Sequence, residues 1–353
     1  MRLLGIEAAR GFAALLVVAM HANDLLAGTR YFGQMPLGGA LKFGHAGVDF
    51  FFVLSGFIIY FVHAADVGQP ARLRGYIWKR FARIYPAYWV VLAAMGAVLA
   101  ASPTAQGTER HLWNIVTSIL LLPVTGDPIL PVAWSLKHEM LFYVLFCVLF
   151  LNRLAGIAVL AVWGMLTAWN IAASWSTGTP YFGGLLGFLF FRLFNIEFFF
   201  GIFAAHLARA GRVWSPHACI ILGMAAFVGN GLFESLGPPR PPEWPPRHLV
   251  YGISAGVALY GLAAAEISGR LRVWAPLAAL GGASYSIYLV HVIVMMFLQQ
   301  GLLLVRRYVP VDINVAFVFF CLAAVVSGTM FSALVELPLL AWVRRLRRPA
   351  SVA

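Results

Sequence analysis

Arg10 and His21 are separated by ten uncharged residues, GFAALLVVAM, in a stretch apolar enough to be the middle of a membrane-spanning helix. Eleven helical steps of about 100° bring the two side chains within roughly 20° of one face, about 16 Å apart along the axis. That is about half of a hydrocarbon core, where an ionisable group is costly and by default functional. An imidazole there can exchange a proton near neutral pH or act as a nucleophile. The alternative for His21 is a neutral ring hydrogen-bonded to a neighbouring helix. Asp24, three residues on, could orient the imidazole or cap the helix end in solvent.

Composition says what must position these groups. Apolar residues make up 61% of the 353 and charged residues only 11%, too apolar for a soluble core to hide. The expected fold is all-α, a polytopic integral membrane protein. Ten spans are expected, near Ile6–Leu26, Val48–Val62, Ile84–Ala101, Leu136–Leu151, Ala155–Ala173, Leu193–Leu207, Ala218–Phe233, Leu249–Ala265, Ser286–Val305 and Ile313–Val335. The segment His111–Leu122 is too short and polar to cross and suits an interfacial or re-entrant helix.

With both termini cytoplasmic, most basic residues fall on the inner side, as the positive-inside rule asks. That topology accounts for the net charge of +12 without nucleic acid. Residues 1–343 form one transmembrane domain and 344–353 a basic cytoplasmic tail. The start of the chain is taken as an uncleaved first span, because Arg10 interrupts the apolar run. The proline-rich segment Glu234–Arg247 is expected to be a stiff outer connector. Cys147, Cys219 and Cys321 suit buried inert thiols, and no His/Cys/carboxylate set shows metal-ligand spacing, so no metal is expected.

Topology sorts the polar residues by depth. His21, Asp24, Asp49, Glu139 and Glu197 fall in the outer half. Arg10, Arg80 and Arg83 fall on the inner side, as do Tyr285, Ser286 and His291 at the start of the ninth span. Arg80 and Arg83 form an i,i+3 pair just before Pro86 opens the third span, a spacing suited to phosphate or to anionic lipid. Glu139 needs a partner to offset its desolvation, such as His21, a substrate hydroxyl or a basic residue of a neighbouring helix. Trp134 suits an interfacial aromatic belt or a sugar-stacking surface.

These residues sit in segments that together resemble a known family. His21 with Arg10 before it, GVDFFFVLSGFII (47–59), RFARIYP (80–86), WSLKHEMLFY (134–143), IEFFFG (196–201), SYSIYLVH (284–291) and ELP (336–338) follow the order of motifs in the acyltransferase-3 family of integral membrane O-acyltransferases. The WSLKHEMLFY version is most similar to the branch that decorates exopolysaccharide and other surface glycans.

The resemblance implies transfer of a short acyl group, usually acetyl, from cytoplasmic acyl-CoA to a hydroxyl of a glycan or lipid-linked saccharide on the outer side. Acetyl-CoA is then the donor substrate, with no tightly bound cofactor, and the protein lies in the cytoplasmic (inner) membrane of a bacterium. It implies catalytic roles for His21, Arg10 and Glu139 and donor binding by Arg80 and Arg83; Tyr285 and Ser286, on the inner side, could line the donor channel or equally pack with internal hydrogen bonds. Asp24, Asp49 and Trp134 are the expected acceptor-side residues. A poor hydroxyl nucleophile needs a base, which His21 could supply directly, or His21 could carry the acyl group as an acyl-imidazole. The main rival is a transporter of a polar or lipid-linked sugar through the same polar path. Finally, Leu3, Gly11 or Ala14, and Val17 or Val18 are expected to join Arg10 and His21 in one continuous cleft.

Overall fold

The computed structural model describes residues 3–101, 112–122, 128–177, 182–211, 215–238 and 245–346. Among them every regular element is helical: α1 (Leu4–Ala27), α2 (Ala46–His63), α3 (Pro70–Ala101), α4 (Leu112–Leu120), α5 (Ala133–Leu151), α6 (Arg153–Thr177), α7 (Phe194–Arg209), α8 (Pro216–Leu236), α9 (Pro245–Ile267), α10 (Ala275–Gly282), α11 (Ser284–Val305), α12 (Ile313–Phe331) and α13 (Leu337–Arg345). Helices dominate because a chain this apolar must satisfy its backbone polar groups internally.

Among the described residues nine helices are long and apolar enough to cross a membrane, against ten expected. The difference is α7, which covers the expected span Leu193–Leu207 but has only 16 residues. At about 1.5 Å per residue that is about 24 Å, less than the usual hydrocarbon core, a mismatch that a span meets by thinning the bilayer locally. The protein is a polytopic membrane protein.

Two boundaries differ from expectation in ways that matter for the site. Helix α3 runs unbroken for 32 residues, so Pro86 lies inside it and Arg80 and Arg83 project from a continuous helix rather than from its approach. The last span continues through a π turn at Ser332–Glu336 into α13. A π turn carries one more residue than a regular turn and redirects side chains, and such turns gather at functional sites.

The short α4 does not cross. Its last carbonyls accept hydrogen bonds from α3: Tyr88 donates to Ser118 at 2.7 Å, Trp89 to Ile119 at 2.9 Å and Tyr85 to Leu120 at 3.0 Å. Three aromatic donors thus satisfy a helix end that has no intrahelical partners. His111, the expected start of this segment, lies outside the described residues, as do 239–244 of the proline-rich connector and 347–353 of the basic tail.

Helix α1 is central, packing against α2, α9, α10, α11 and α12. Glu266 fixes its start, accepting from the amides of Leu4 at 2.6 Å and Gly5 at 2.8 Å. Helices α2 and α7 touch backbone to backbone. A Cβ at Gly56 would lie 2.0 Å from the Phe198 carbonyl oxygen, and one at Gly201 would lie 1.9 Å from that of Val53. Glycine at both places lets the two helices approach closely, which sets Asp49 of α2 beside Glu197 of α7.

Candidate active site

Two cavities of similar size lie inside the bundle. One, of about 560 Å³, is lined by Arg10, Arg80, Arg83, Glu139, Tyr143 and Tyr285, with Ser55 and Arg344 at its wall. The other, of about 590 Å³, is lined by His21, His45, Asp49, Trp134, Arg192 and His248. Val48 and Tyr288 line both and form the partition. Val17 joins them in the same buried apolar cluster. Arg10 and His21 therefore share a face of α1 but open into different chambers.

In the arginine-lined cavity the cations are held by carboxylate and aromatic neighbours. Arg83 donates to Glu336 at 2.5 Å and lies 5.5 Å from the centre of the Tyr285 ring. Glu336, from the π turn, also accepts from Ser286 at 2.6 Å and Ser332 at 3.1 Å. Arg80 lies over Tyr76 and Tyr143, 5.9 and 5.7 Å from the ring centres. Arg80 Nε and Arg83 Nη2 are buried with no hydrogen-bond partner among the described residues, leaving donors for an anion. Ser286 serves Glu336 and lines neither cavity. Tyr285 lines the wall while donating to the Ile84 carbonyl at 2.8 Å.

Glu139 belongs to this chamber and not to that of His21. It accepts from Ser55 at 2.6 Å and from the hydroxyl of Tyr143. Depth in the fourth span placed it with His21, but the face of α5 decides. Ser135, Glu139 and Tyr143, four residues apart, point into the arginine-lined cavity, whereas Trp134 points into the other.

In the histidine-lined cavity His21 holds the Val17 carbonyl at 2.9 Å through Nδ1, and the same nitrogen lies 3.2 Å from Nε2 of His291. Asp24 lines neither cavity; it is exposed and accepts from the side chain of Asn23 at 3.2 Å. Its i,i+3 offset from His21 turns it away from the interior. The expected continuous cleft along α1 is also absent at Gly11 and Ala14. A Cβ at Gly11 would lie 3.1 Å from the Gly281 nitrogen, because α10 packs there, and Ala14 is buried in an apolar cluster with Ala283 and Ile287.

Asp49 accepts from Nδ1 of His248 at 2.5 Å, and Glu197 is fully buried beside it, its carboxyl group paired with that of Asp49. Ligand atoms of Asp49, Glu197 and His248 lie within 4.8 Å of one another, a set that sequence spacing hides because it joins α2, α7 and α9. The donor chemistry does not suit a metal ion. His248 Nε2 lies 3.0 Å from Nη2 of Arg247, which can only donate, so Nε2 accepts and Nδ1 carries the hydrogen given to Asp49. The imidazole then has no lone pair to spare. At the start of α9 Arg247 also donates to Glu234 at 2.6 Å, and Glu234 accepts from Tyr251 at 2.7 Å and contacts His45 at 2.8 Å.

Sequence reasoning missed the importance of His45, Arg247, His248 and Glu336. Only Glu336 carried a signal, its place in the ELP motif.

A bundle of membrane helices holding a cationic chamber and a histidine-bearing chamber back to back defines a multi-pass membrane protein with two internal cavities. The chain belongs to the acyltransferase-3 family: the profile of that acyltransferase domain matches residues 3–333. It is 29% identical to the exopolysaccharide production protein ExoZ of Rhizobium meliloti (strain 1021), covering 88% of this chain and 94% of that one. It is 27% identical to the acyltransferase MdmB of Streptomyces mycarofaciens over 100% of this chain and 95% of that one. A 31% identity to protein 2 in the picA locus of Rhizobium radiobacter covers 39% of this chain and 78% of that one. No solved structure matches. The protein is an acyltransferase enzyme.

Proposed function

We propose that the two cavities are the two substrate chambers of an O-acyltransferase, with an acyl-CoA in the arginine-lined chamber and a hydroxylated acceptor in the histidine-lined one. The observation that carries this reading is their division by Val48 and Tyr288, with the unsatisfied guanidinium hydrogens on one side and His21 on the other. Arg80 and Arg83 meet the phosphates of coenzyme A, Arg10 adds positive charge nearer the partition, and the thioester reaches the partition.

At the partition a hydroxyl gives its proton to His21 Nε2 as its oxygen attacks the thioester carbonyl. The carbon–sulfur bond then breaks, and the departing thiolate takes the proton back from His21, so no net proton is consumed. The same imidazole lone pair is also able to take the acyl group itself. Glu139, with Ser55 and Tyr143, holds the arginine side in register. Trp134, Asp49 and His45 line the acceptor's chamber.

The name of the Rhizobium meliloti relative supports a polysaccharide as acceptor; acetyl as the group moved is part of the proposal. The reading places the protein in a bacterial inner membrane with both termini and the arginine-lined chamber on the cytoplasmic side. Incubating purified protein with acetyl-CoA labelled in the acetyl group tests it, read together with mass spectra of surface glycans from cells with and without the gene. The expected result is consumption of the thioester and a mass difference of one acyl group. A carrier would leave the thioester intact, and that result would overturn the reading.

A further inference from the structure

His291 sits on α11 directly behind His21, fully buried and lining neither chamber. Its Nδ1 lies 3.1 Å from the Ile287 carbonyl oxygen. A carbonyl only accepts, so that nitrogen carries the hydrogen and the neutral ring presents a lone pair at Nε2. This lone pair faces Nδ1 of His21 at 3.2 Å, and the Val17 carbonyl approaches the same His21 nitrogen at 2.9 Å. Both neighbours accept. The hydrogen of a neutral His21 therefore belongs on Nδ1, shared between them, and Nε2 is left as the nitrogen with the free lone pair. The two rings meet edge to face, with centroids 4.9 Å apart and planes at 60°, so they are not simply stacked.

We propose that His291 is a positioning residue for His21, fixing its tautomer and ring orientation through an imidazole–imidazole hydrogen bond. The proposal rests on the reading of His21 as the group that exchanges a proton in acyl transfer. Enzymes commonly give this orienting task to a carboxylate behind the histidine. Inside a membrane bundle a neutral imidazole does it without burying another charge. When His21 gains a proton at Nε2, its Nδ1–H bond to His291 becomes charge-assisted and strengthens, so His291 favours the protonated intermediate more than the resting ring. The proton itself stays on His21. The chain dedicates a fully buried side chain to this contact from the SYSIYLVH segment, far from His21 in sequence.

The test uses the full-length protein in detergent with nitrogen-15-labelled histidine, so that nuclear magnetic resonance reports the tautomer of His21 alongside steady-state kinetics. His291→Phe keeps a ring and removes the acceptor; His291→Leu replaces it in that arm if the phenylalanine variant does not fold. His291→Gln sets a carbonyl oxygen near the position of Nε2. The acceptor-free variant is expected to show a mixture of His21 tautomers and a fall in kcat of about tenfold to a hundredfold, with KM for the acyl donor little changed. That fall is below the whole worth of a general base because Val17 still favours the Nδ1–H form. His291→Gln is expected to recover the Nδ1–H form and most of kcat. An acceptor-free variant with the wild-type tautomer overturns the proposal, whatever its rate. If the wild-type protein transfers no acyl group at all, the functional reading fails, while the tautomer spectra still decide the role of His291.

Discussion

The arginine-lined and histidine-lined cavities have nearly the same volume, about 560 and 590 Å³, yet they are built in opposite ways. The first is a compact network. Arg83 bonds Glu336, which also accepts from Ser286 and Ser332, and Glu139 accepts from Ser55 and Tyr143. Its basic residues outnumber its carboxylates, and the lining N–H groups left without a partner among the described residues are Arg80 Nε, Arg83 Nη2 and Trp78 Nε1. The second sets His21, braced by a second histidine, among His45, Asp49, Trp134 and His248. On the function proposed above, the first chamber takes the phosphorylated donor and the second the polyhydroxylated acceptor.

The largest effect should come from His21. His21→Ala should lower acyl transfer by roughly 10²–10⁴, the usual worth of a positioned acid–base group, while donor binding in the other chamber stays near normal. Equilibrium binding of coenzyme A, measured beside turnover, checks this. Equal loss of both would mean that the two chambers are not functionally distinct.

Breaking the arginine side should look different. On the proposed function Arg83→Ala removes a hydrogen-bond donor to coenzyme A, and it also leaves Glu336 buried without its cation, which can cost about 3 kcal/mol of stability. The double change Arg83→Ala with Glu336→Gln should therefore recover thermal stability but not donor affinity. Recovery of both would demote Arg83 to a purely structural role. Arg83→Lys should restore the ion pair better than donor binding, since a point charge replaces a planar fork.

The contrast between chambers also explains what could be read in the sequence. Arg80 and Arg83, Arg10 and His21, and the helices that carry them were visible because the informative spacing lies within one helix. Helical pitch fixes a face but not what packs on it. Gly11 and Ala14 lie on a plausible inward path, yet α10 and α11 cover them. Glu139 was grouped with His21 but lines the other chamber, because the rotation of α5 decides between Glu139 and Trp134. The set of Asp49, Glu197 and His248 comes from three helices far apart in the chain, and no local pattern announces it.

A smaller difference should separate the two neighbouring carboxylates. Asp49→Asn weakens the bond from His248 and replaces one oxygen by a donor, so it should lower thermal stability and acceptor turnover. Glu197→Gln keeps a hydrogen-bonding group beside Asp49 and removes one buried ionisable group, so it should leave stability unchanged or raise it. Thermal unfolding of both variants in the same detergent decides; a greater loss for Glu197→Gln would mean that the carboxyl pair itself holds α2 and α7 together.

The smallest expected effect lies at the partition, where both chambers meet and the acyl group has to be presented. Val48 is buried there between Phe52 and Tyr288 in one apolar cluster. Val48→Ala removes two methyl groups from the wall without touching Arg80, Arg83 or His21, so binding of coenzyme A and the rate with acetyl-CoA should change little. The freed volume should instead admit a longer acyl chain. One methylene in an apolar pocket is worth about 1–3 kcal/mol, which limits the gain for propionyl over acetyl to roughly tenfold or a hundredfold in relative kcat/KM. Val48→Phe should act the opposite way, slowing acetyl transfer while coenzyme A still binds. Competition between acetyl-CoA and propionyl-CoA, read by product mass, measures the ratio directly. An unchanged ratio in Val48→Ala, with an unchanged acetyl rate in Val48→Phe, would show that the acyl group crosses elsewhere, and the two chambers would then have to communicate by another route along α1.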